Sequence, residues 1–125
     1  MQTMQYTRSL PVEDGFDVAV AGGGPSGVAA AIAAARMGCR TVLIEQAGYL
    51  GGLGTGGLVN VFMPCADGVR GLMGGIGKEV VERLHARGFL HPAVTPDYWQ
   101  RERRSIAFNG EGMKLVLDEM VLEAG

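Results

Sequence analysis

The sequence is poor in the residues that mark metal centres, disulfide frameworks and nucleic-acid surfaces. Its two cysteines, Cys39 and Cys65, lie far apart, and no cysteine–histidine spacing suits zinc. We therefore expect neither a metal site nor a disulfide framework, and the cytoplasm is the natural compartment. Eleven basic against thirteen acidic residues leave a net charge of −2, without the cationic excess that attracts nucleic acid or anionic lipid. A nucleic-acid partner is not expected.

A clean membrane-spanning run is also missing. The uncharged stretch at residues 18–35 reaches the lower length limit of a spanning helix, but its middle reads GGGPSG, which would break that helix. Glu13, Asp14 and Asp17 precede it, where a signal peptide carries positive charge. We expect no membrane association.

Glycine is the residue in excess, at 21 of 125 residues, or about 17% against a usual share near 7%. Hydrophobic residues still make up 47% of the chain, so disorder does not explain the glycines. The length suits a single core. Residues 1–15 are polar and unpatterned, which predicts an N-terminal extension followed by one domain at residues 16–125.

The pattern after residue 15 predicts a strand, a helix and a second strand. Residues 16–21 (FDVAVA) are typical of a strand buried on both faces of a parallel sheet. Residues 25–37 predict a helix, because proline is tolerated in the first turn, alanines favour helix and Gly38 ends it. Residues 40–45 (RTVLIE) predict the second strand. The fold class is therefore α/β, with a Rossmann-like βαβ unit.

The second half of the chain is irregular and glycine-rich at residues 48–77, and helices are predicted at residues 78–87 and 113–123. A further strand should follow the last helix, because a doubly wound sheet needs more than two parallel strands. We therefore expect the chain to be part of a longer protein. Uncovered strand edges are expected to make the chain self-associate into homo-oligomers.

The pattern G-x-G-x-x-G falls at the turn between the first strand and the helix, the context that this dinucleotide fingerprint requires. Gly22 permits the tight turn, Gly24 lets a pyrophosphate approach the backbone, and Gly27 lets helix and strand pack closely. Backbone N–H groups at the helix start point at the anion. These three glycines, with Pro25 and Ser26, are predicted to line a pyrophosphate site.

Glu45 ends the second predicted strand. A helix of about 13 residues carries the chain roughly 20 Å from the glycine turn, and a strand of about six residues brings it back by nearly the same distance. Glu45 should therefore lie beside the glycine turn at the carboxyl edge of the sheet. A carboxylate there can accept hydrogen bonds from the hydroxyls of an adenosine ribose, and it would repel the 2′-phosphate of NADP.

Two further features carry a family resemblance. Ala31 and Gly38 complete the pattern G-x-G-x-x-G-x3-A-x6-G, which resembles the FAD-binding start of flavoprotein oxidoreductases of the glutathione-reductase type. The stretch EQAGYLGGLGTGGLV is similar to the segment after the second strand in FAD-dependent oxidoreductases, in which a glutamate, five residues, a glycine pair and a nearby Thr/Ser-Gly recur. Here these are Glu45, Gly51, Gly52, Thr55 and Gly56.

The resemblance covers most of residues 16–125 and implies FAD as the cofactor of an oxidoreductase. It implies that Gly51, Gly52 and Thr55 face the second half of the cofactor, with N–H groups and the Thr55 hydroxyl directed at the pyrophosphate and ribityl chain. Gln46 stands where related sequences often carry an arginine, which weakens the contact expected to the adenine half.

The chemistry implied is hydride or electron transfer between the flavin and an unidentified small molecule, and no residue is assigned a catalytic role. A thiazole-synthase-like or other dinucleotide-binding enzyme, or a non-catalytic nucleotide-binding module, remains as an alternative. Identification of the released cofactor distinguishes an FAD-dependent oxidoreductase from the other dinucleotide-binding enzymes. Reduction of bound flavin by a donor distinguishes an enzyme from a non-catalytic module.

Other polar and aromatic features have ordinary interpretations. Cys65 could tether a flavin but is expected to be a small loop side chain. Tyr98 and Trp99 are expected to be packing anchors, and the basic run at residues 101–104 a solvated face.

Overall fold

The computed structural model describes residues 1–94 and 105–125, so the predictions for Tyr98, Trp99 and residues 101–104 lie outside the described residues. The described part holds four strands and three α-helices. In chain order these are β1 (Val18–Ala21), α1 (Pro25–Arg36), β2 (Thr41–Ile44), a 3₁₀ turn (Gly52–Gly54), β3 (Val61–Phe62), α2 (Gly75–Ala86), β4 (Ile106–Ala107) and α3 (Gly110–Ala124).

The first three elements form a parallel βαβ unit, as predicted. Strands β1 and β2 pair in parallel from Val18 opposite Thr41 to Ala21 opposite Ile44, with α1 as the crossover. At the carboxyl end of the pair, the Gly22 N–H donates to the Ile44 carbonyl over 2.7 Å. Both strands therefore finish at one edge, which brings the residues that follow each of them together.

Helix α1 starts and stops where the sequence predicts, to within one residue. Pro25 occupies the first helical position, where its missing N–H costs nothing. Gly38, with a φ of +87°, ends the helix, and its N–H donates to the Ala35 carbonyl over 2.8 Å. The side chains of Val28, Ala31 and Ile32 are buried, which fixes the face that α1 turns to the core.

The core lies where the three helices meet. Its buried side chains are Val28 and Ile32 of α1, Val80, Val81 and Leu84 of α2, and Met113, Val116, Leu117 and Met120 of α3, together with Ile106 of β4. Burial of a side chain of this size stabilises a fold by about 1.5–3 kcal/mol. Most of the side chains in the buried core therefore come from the three helices.

Helices α2 and α3 both begin three residues earlier than predicted. Four glycines lie in the first turns and disfavour helix by propensity alone: Gly75 and Gly77 in α2, and Gly110 and Gly112 in α3. At α3 the Asn109 side chain caps the helix, accepting a hydrogen bond from the Gly112 N–H over 2.9 Å. A side chain at Gly112 would also overlap the Phe89 ring, so tertiary contact accounts for the glycine there.

Strands β3 and β4 form a short antiparallel pair that the sequence did not predict. Val61 lies opposite Ala107 and Phe62 opposite Ile106, and the Phe62 and Phe108 ring centroids are 4.5 Å apart. Two-residue strands carry too little alternation to be recognised locally. The pair joins the glycine-rich stretch to the start of α3.

A chain of ion pairs ties the three helices together on their polar side. Glu79 of α2 accepts hydrogen bonds from Arg36 of α1 over 2.7 Å and from Arg83 over 2.8 Å. Arg83 in turn donates to Glu123 of α3 over 2.6 Å. The two guanidinium groups, with Arg36 the stronger influence, lower the pKa of Glu79 from its usual 4.5 to about 2.

One face of the β1–β2 pair remains open. Helix α1 covers the other face, whereas 58% of Ile44 is exposed and a cleft separates Ala19 and Val42 from the exposed residues 11–16. The predicted self-association and the boundary at residue 15 stay predictions. Among residues 1–94 and 105–125, no helix combines the length and apolar character needed to cross a bilayer.

Candidate functional site

The first glycine loop, residues 22–24, joins β1 to α1, and the glycines of its fingerprint are there for different reasons. Gly22 has a φ of +98°, a left-handed conformation that side chains disfavour. A Cβ atom on Gly27 would overlap the Gly22 carbonyl oxygen, so this position needs glycine for packing. A Cβ on Gly24 would meet no atom of the described residues within 4 Å. A Cβ on Gly22 would also meet no described atom, but the positive φ already accounts for glycine there, so open space is the feature that distinguishes Gly24.

The amino end of α1 opens onto that space. Pro25 is the first helical residue, and the N–H groups of Ser26 and Gly27 fall within the first turn, where helix geometry provides no carbonyl partner. Within the described part of the chain, no side chain caps this helix, and its first turn holds no acidic residue. The positive end of the helix dipole and these N–H groups therefore favour an anion beside Gly24.

Glu45 lies beside the first glycine loop, as the strand and helix lengths predicted. Its Oε2 atom accepts a hydrogen bond from the Gly23 N–H over 2.6 Å, and its Oε1 atom accepts one from the Ala47 N–H over 2.8 Å. Backbone hydrogen bonds from Ala47 and then Gly23 lower the pKa of this carboxyl group. Glu45 is consequently ionised at neutral pH and acts only as an acceptor. Gln46 follows it and is exposed.

The second glycine loop, residues 51–57, rests directly on the first. The Gly51 N–H donates to the Gly23 carbonyl over 2.8 Å. A Cβ on Gly52 would come within 3.0 Å of the Gly24 Cα and 3.6 Å of the Pro25 Cδ. The two loops therefore converge at the carboxyl edge of the sheet, as the sequence predicted.

The expectation for the Thr55 hydroxyl was wrong. Thr55 is 2% exposed, and its hydroxyl donates to the Leu50 carbonyl over 2.7 Å instead of facing a cofactor. The Thr55 N–H donates to Gly52, and the Gly51 N–H is used by Gly23. Thr55 and the Gly51 N–H therefore hold the second loop in shape, because their hydrogens are already bonded within the protein.

The glycines of the second loop are needed for close packing. A Cβ on Gly51 would lie 2.5 Å from the Thr55 methyl group, and one on Gly57 would lie 2.7 Å from the Leu53 Cα. A Cβ on Gly56 would overlap the Tyr49 ring. A side chain added at any of these positions would force the second glycine loop or its neighbours to move.

Three residues near the loops were not anticipated. Gly23 is the unspecified position of the fingerprint, yet a Cβ there would lie 2.5 Å from Leu50 Cδ2. The Lys114 ammonium lies 4.4 Å from the centroid of the Tyr49 ring, a cation–π contact between α3 and the segment before the second loop. The run of three consecutive glycines was the one signal that could have identified Gly23.

Cys65 is a buried thiol. It is 1% exposed, and burial raises its pKa, so the unreactive protonated form dominates at neutral pH. A covalent link from this residue to a flavin is not supported. Among residues 1–94 and 105–125, no group of three histidine, cysteine or acidic side chains is placed to hold a metal ion.

The geometry fits the adenosine diphosphate end of a dinucleotide. Open space at Gly24 and free N–H groups at the start of α1 suit a diphosphate, and an ionised carboxylate on the β2 side suits sugar hydroxyls. A family model described as FAD dependent oxidoreductase matches residues 17–125.

Curated relatives share short, similar regions with the chain. The dihydrolipoyl dehydrogenase of Trypanosoma brucei brucei is 47% identical over 47 residues, covering 38% of this chain and 10% of that protein. The tRNA uridine 5-carboxymethylaminomethyl modification enzyme MnmG of Dichelobacter nodosus is 50% identical over 66 residues, covering 45% of this chain and 10% of that protein. The chain thus spans about a tenth of the length of these relatives.

The fold is also found among solved structures. The crystal structure of Thermovibrio ammonificans THI4 superposes with a TM-score of 0.52 at 20% identity, covering 88% of this chain and 36% of that one. At this identity the likeness shows the fold alone, a Rossmann-like α/β arrangement. Because the family match covers nearly the whole chain, we conclude that the chain belongs to the FAD-dependent oxidoreductases and that FAD is its cofactor.

Proposed function

We propose that this chain holds the ADP half of FAD in an oxidoreductase that moves hydride or electrons between the flavin and a small molecule. The observation that carries the proposal is the open space at Gly24, which is the N-cap residue of α1 and follows Gly23, whose N–H is bonded to the carboxylate of Glu45. Since the chain spans about a tenth of its curated relatives, the redox activity is proposed for the whole protein that contains it.

The diphosphate would be bound by backbone groups. The N–H groups of Ser26 and Gly27 donate to phosphate oxygens, and the helix dipole adds about 0.3–2 kcal/mol. Gly24 permits close approach because no Cβ stands between the backbone and the anion. Pro25 forgoes an N–H but fixes the backbone at the first helical position.

Glu45 would accept hydrogen bonds from the ribose hydroxyls. Each of its oxygens already accepts one backbone N–H and retains a further lone pair for a hydroxyl donor. The same negative charge opposes a 2′-phosphate, which favours FAD and disfavours NADP. Gly52 borders the diphosphate site through its contact with Gly24, whereas Gly51 and Thr55 support the site from behind. When FAD is bound, the flavin supplies the redox chemistry.

A matched pair of variants tests the site. Gly24 and Gly74 are both N-cap residues with extended backbones (φ −68° and −138°), and a Cβ on either meets no described atom within 4 Å. Gly24→Ala puts a methyl group where the diphosphate should lie, so we expect the Kd for FAD to rise by about 10- to 100-fold. Gly74→Ala shares the capping cost at a different helix, so its Kd should stay at the wild-type value.

FAD titration followed by flavin fluorescence measures both constants, and urea unfolding checks that the two variants are equally folded. ADP should compete with FAD in this assay, while FMN should not, because only ADP carries the adenosine diphosphate group. An unchanged Kd for FAD in Gly24→Ala, or competition by FMN but not by ADP, would show that the ADP half of FAD does not bind at this site. Flavin that binds but is not reduced by any donor in the whole protein would favour a non-catalytic nucleotide-binding module.

A further inference from the structure

Gly23 connects three segments of the site through its own backbone and surroundings. Its N–H donates to Glu45 Oε2 over 2.6 Å, and its carbonyl accepts from the Gly51 N–H over 2.8 Å. One residue therefore links the first glycine loop to the end of β2 and to the second glycine loop.

Glycine at position 23 is explained by this arrangement and not by the dinucleotide fingerprint. A Cβ there would lie 3.1 Å from both the Cβ and the Oε2 of Glu45, and 2.5 Å from Leu50 Cδ2. Gly23 is buried although its fingerprint neighbours Gly22 and Gly24 are not. The Glu45 side chain thus lies flat against the loop and occupies the space that a side chain would need.

The carboxylate of Glu45 is bonded on both oxygens before any ligand is present. Oε2 takes the Gly23 N–H and Oε1 takes the Ala47 N–H, so the side chain bridges the first glycine loop to the residues after β2. Bonds from N–H groups to an ionised carboxylate are about twice as strong as neutral ones. The lowered pKa of Glu45 agrees with this bridge.

We propose that Glu45 is a positioning residue that holds the first glycine loop in its binding shape in the absence of cofactor, in addition to any contact with ribose. The benefit of this positioning role for FAD binding rests on the proposed function. A loop already fixed in the bound conformation has less ordering entropy to lose when FAD arrives, which improves affinity.

Amide hydrogen exchange of the cofactor-free chain tests this directly by NMR. In the wild type the Gly23 and Ala47 amides should exchange at least about tenfold more slowly than those of Ser26 and Gly27, relative to intrinsic rates. If Gly23 exchanges as fast as Ser26 without cofactor, the proposal is overturned. This comparison needs no variant.

Glu45→Gln tests the bridge itself. A glutamine has one acceptor oxygen for two N–H donors, and its amide group meets the other donor unfavourably. We expect exchange at Gly23 and Ala47 to accelerate by about tenfold or more, while Val116 and Leu117 in the buried core keep their wild-type rates. Asp67→Asn is the matched control, because Asp67 likewise accepts backbone N–H groups, from Val69 and Arg70, in a separate turn.

The outcomes separate the two proposals. Faster exchange at Gly23 in Glu45→Gln supports the positioning role, whether or not the wild type binds FAD. Unchanged exchange at Gly23 with weaker FAD binding would mean that Glu45 acts on the ligand alone, which overturns the positioning role and leaves the proposed function intact. Faster exchange at Gly23 in Asp67→Asn would show a non-specific effect and would also overturn it.

Discussion

Replacement of Glu79 by glutamine should destabilise the chain in a pH-dependent way. Glu79 receives hydrogen bonds from Arg36 and Arg83, and through Arg83 it connects α1, α2 and α3. Its pKa is lowered from 4.5 to about 2, so the unfolded chain binds this proton at higher pH than the folded one. The stabilisation is therefore fully present above about pH 4.5 and is lost as the pH falls through about 2.

The size of the effect follows from the same pKa. A lowering from 4.5 to about 2 corresponds to an upper bound of about 3.4 kcal/mol at about 1.4 kcal/mol per tenfold change in proton affinity. Solvent reaches 28% of the Glu79 side chain and screens its charge. We therefore expect Glu79→Gln to lower the free energy of unfolding by about 1–2 kcal/mol at pH 7.

Urea unfolding of wild type and variant across pH 3–7 measures the difference. The gap should be largest at neutral pH and shrink to about half or less by pH 3, because the wild-type carboxylate becomes protonated during unfolding. Glu82→Gln is the control, since Glu82 lies on the same helix and, among the described residues, forms an ion pair with exposed Lys78 over 3.4 Å. We expect Glu82→Gln to lower the free energy of unfolding by about 0.5 kcal/mol or less. Equal urea midpoints for Glu79→Gln and wild type at pH 7 would refute the reasoning. A difference in the free energy of unfolding that does not change with pH would refute it as well.

Three further changes follow from the glycines and the one described non-glycine residue with a positive φ. Gly27→Ala should cost about 2–4 kcal/mol and abolish FAD binding, because its methyl group would overlap the Gly22 carbonyl; urea unfolding checks it, and a wild-type midpoint would contradict it. Gly77→Ala should stabilise the chain by about 0.5–1 kcal/mol, since Gly77 lies within α2 and, among the described side chains, its Cβ would contact only Met73, at 3.6 Å; a lower melting temperature would argue against this. Leu58→Gly should gain up to about 1 kcal/mol, because Leu58 is 81% exposed and has a φ of +59°; a loss in thermal unfolding would show that its side chain makes a needed contact.

The βαβ unit and the meeting of its loops could be predicted from the sequence because both depend on local rules. Residues 25–36 carry their own start and stop signals, and the lengths of α1 and β2 alone return Glu45 to Gly23. These features need no knowledge of distant contacts. Composition alone indicated only a glycine-rich stretch after β2, and the role of the second glycine loop came from its resemblance to FAD-dependent oxidoreductases.

The parts that could not be predicted depend on contacts between distant residues. The pairing of β3 with β4 joins residues more than forty positions apart, and neither strand exceeds two residues. The direction of the Thr55 hydroxyl depends on how the second loop folds back on Leu50, which no local pattern encodes. The early start of α3 likewise depends on the Asn109 cap and on packing against Phe89, which offset the poor helix propensity of glycine.

The packing of the second glycine loop has a consequence for inheritance. Any missense change in a glycine codon adds at least a methyl group, and at Gly51, Gly56 and Gly57 that methyl group would collide with Thr55, Tyr49 or Leu53. Even an alanine at these positions would force a neighbouring group to move, whereas Gly48 has room for a methyl group. When random variants of the gene are selected for function, substitutions at the first three codons should therefore be lost far more often than substitutions at the fourth.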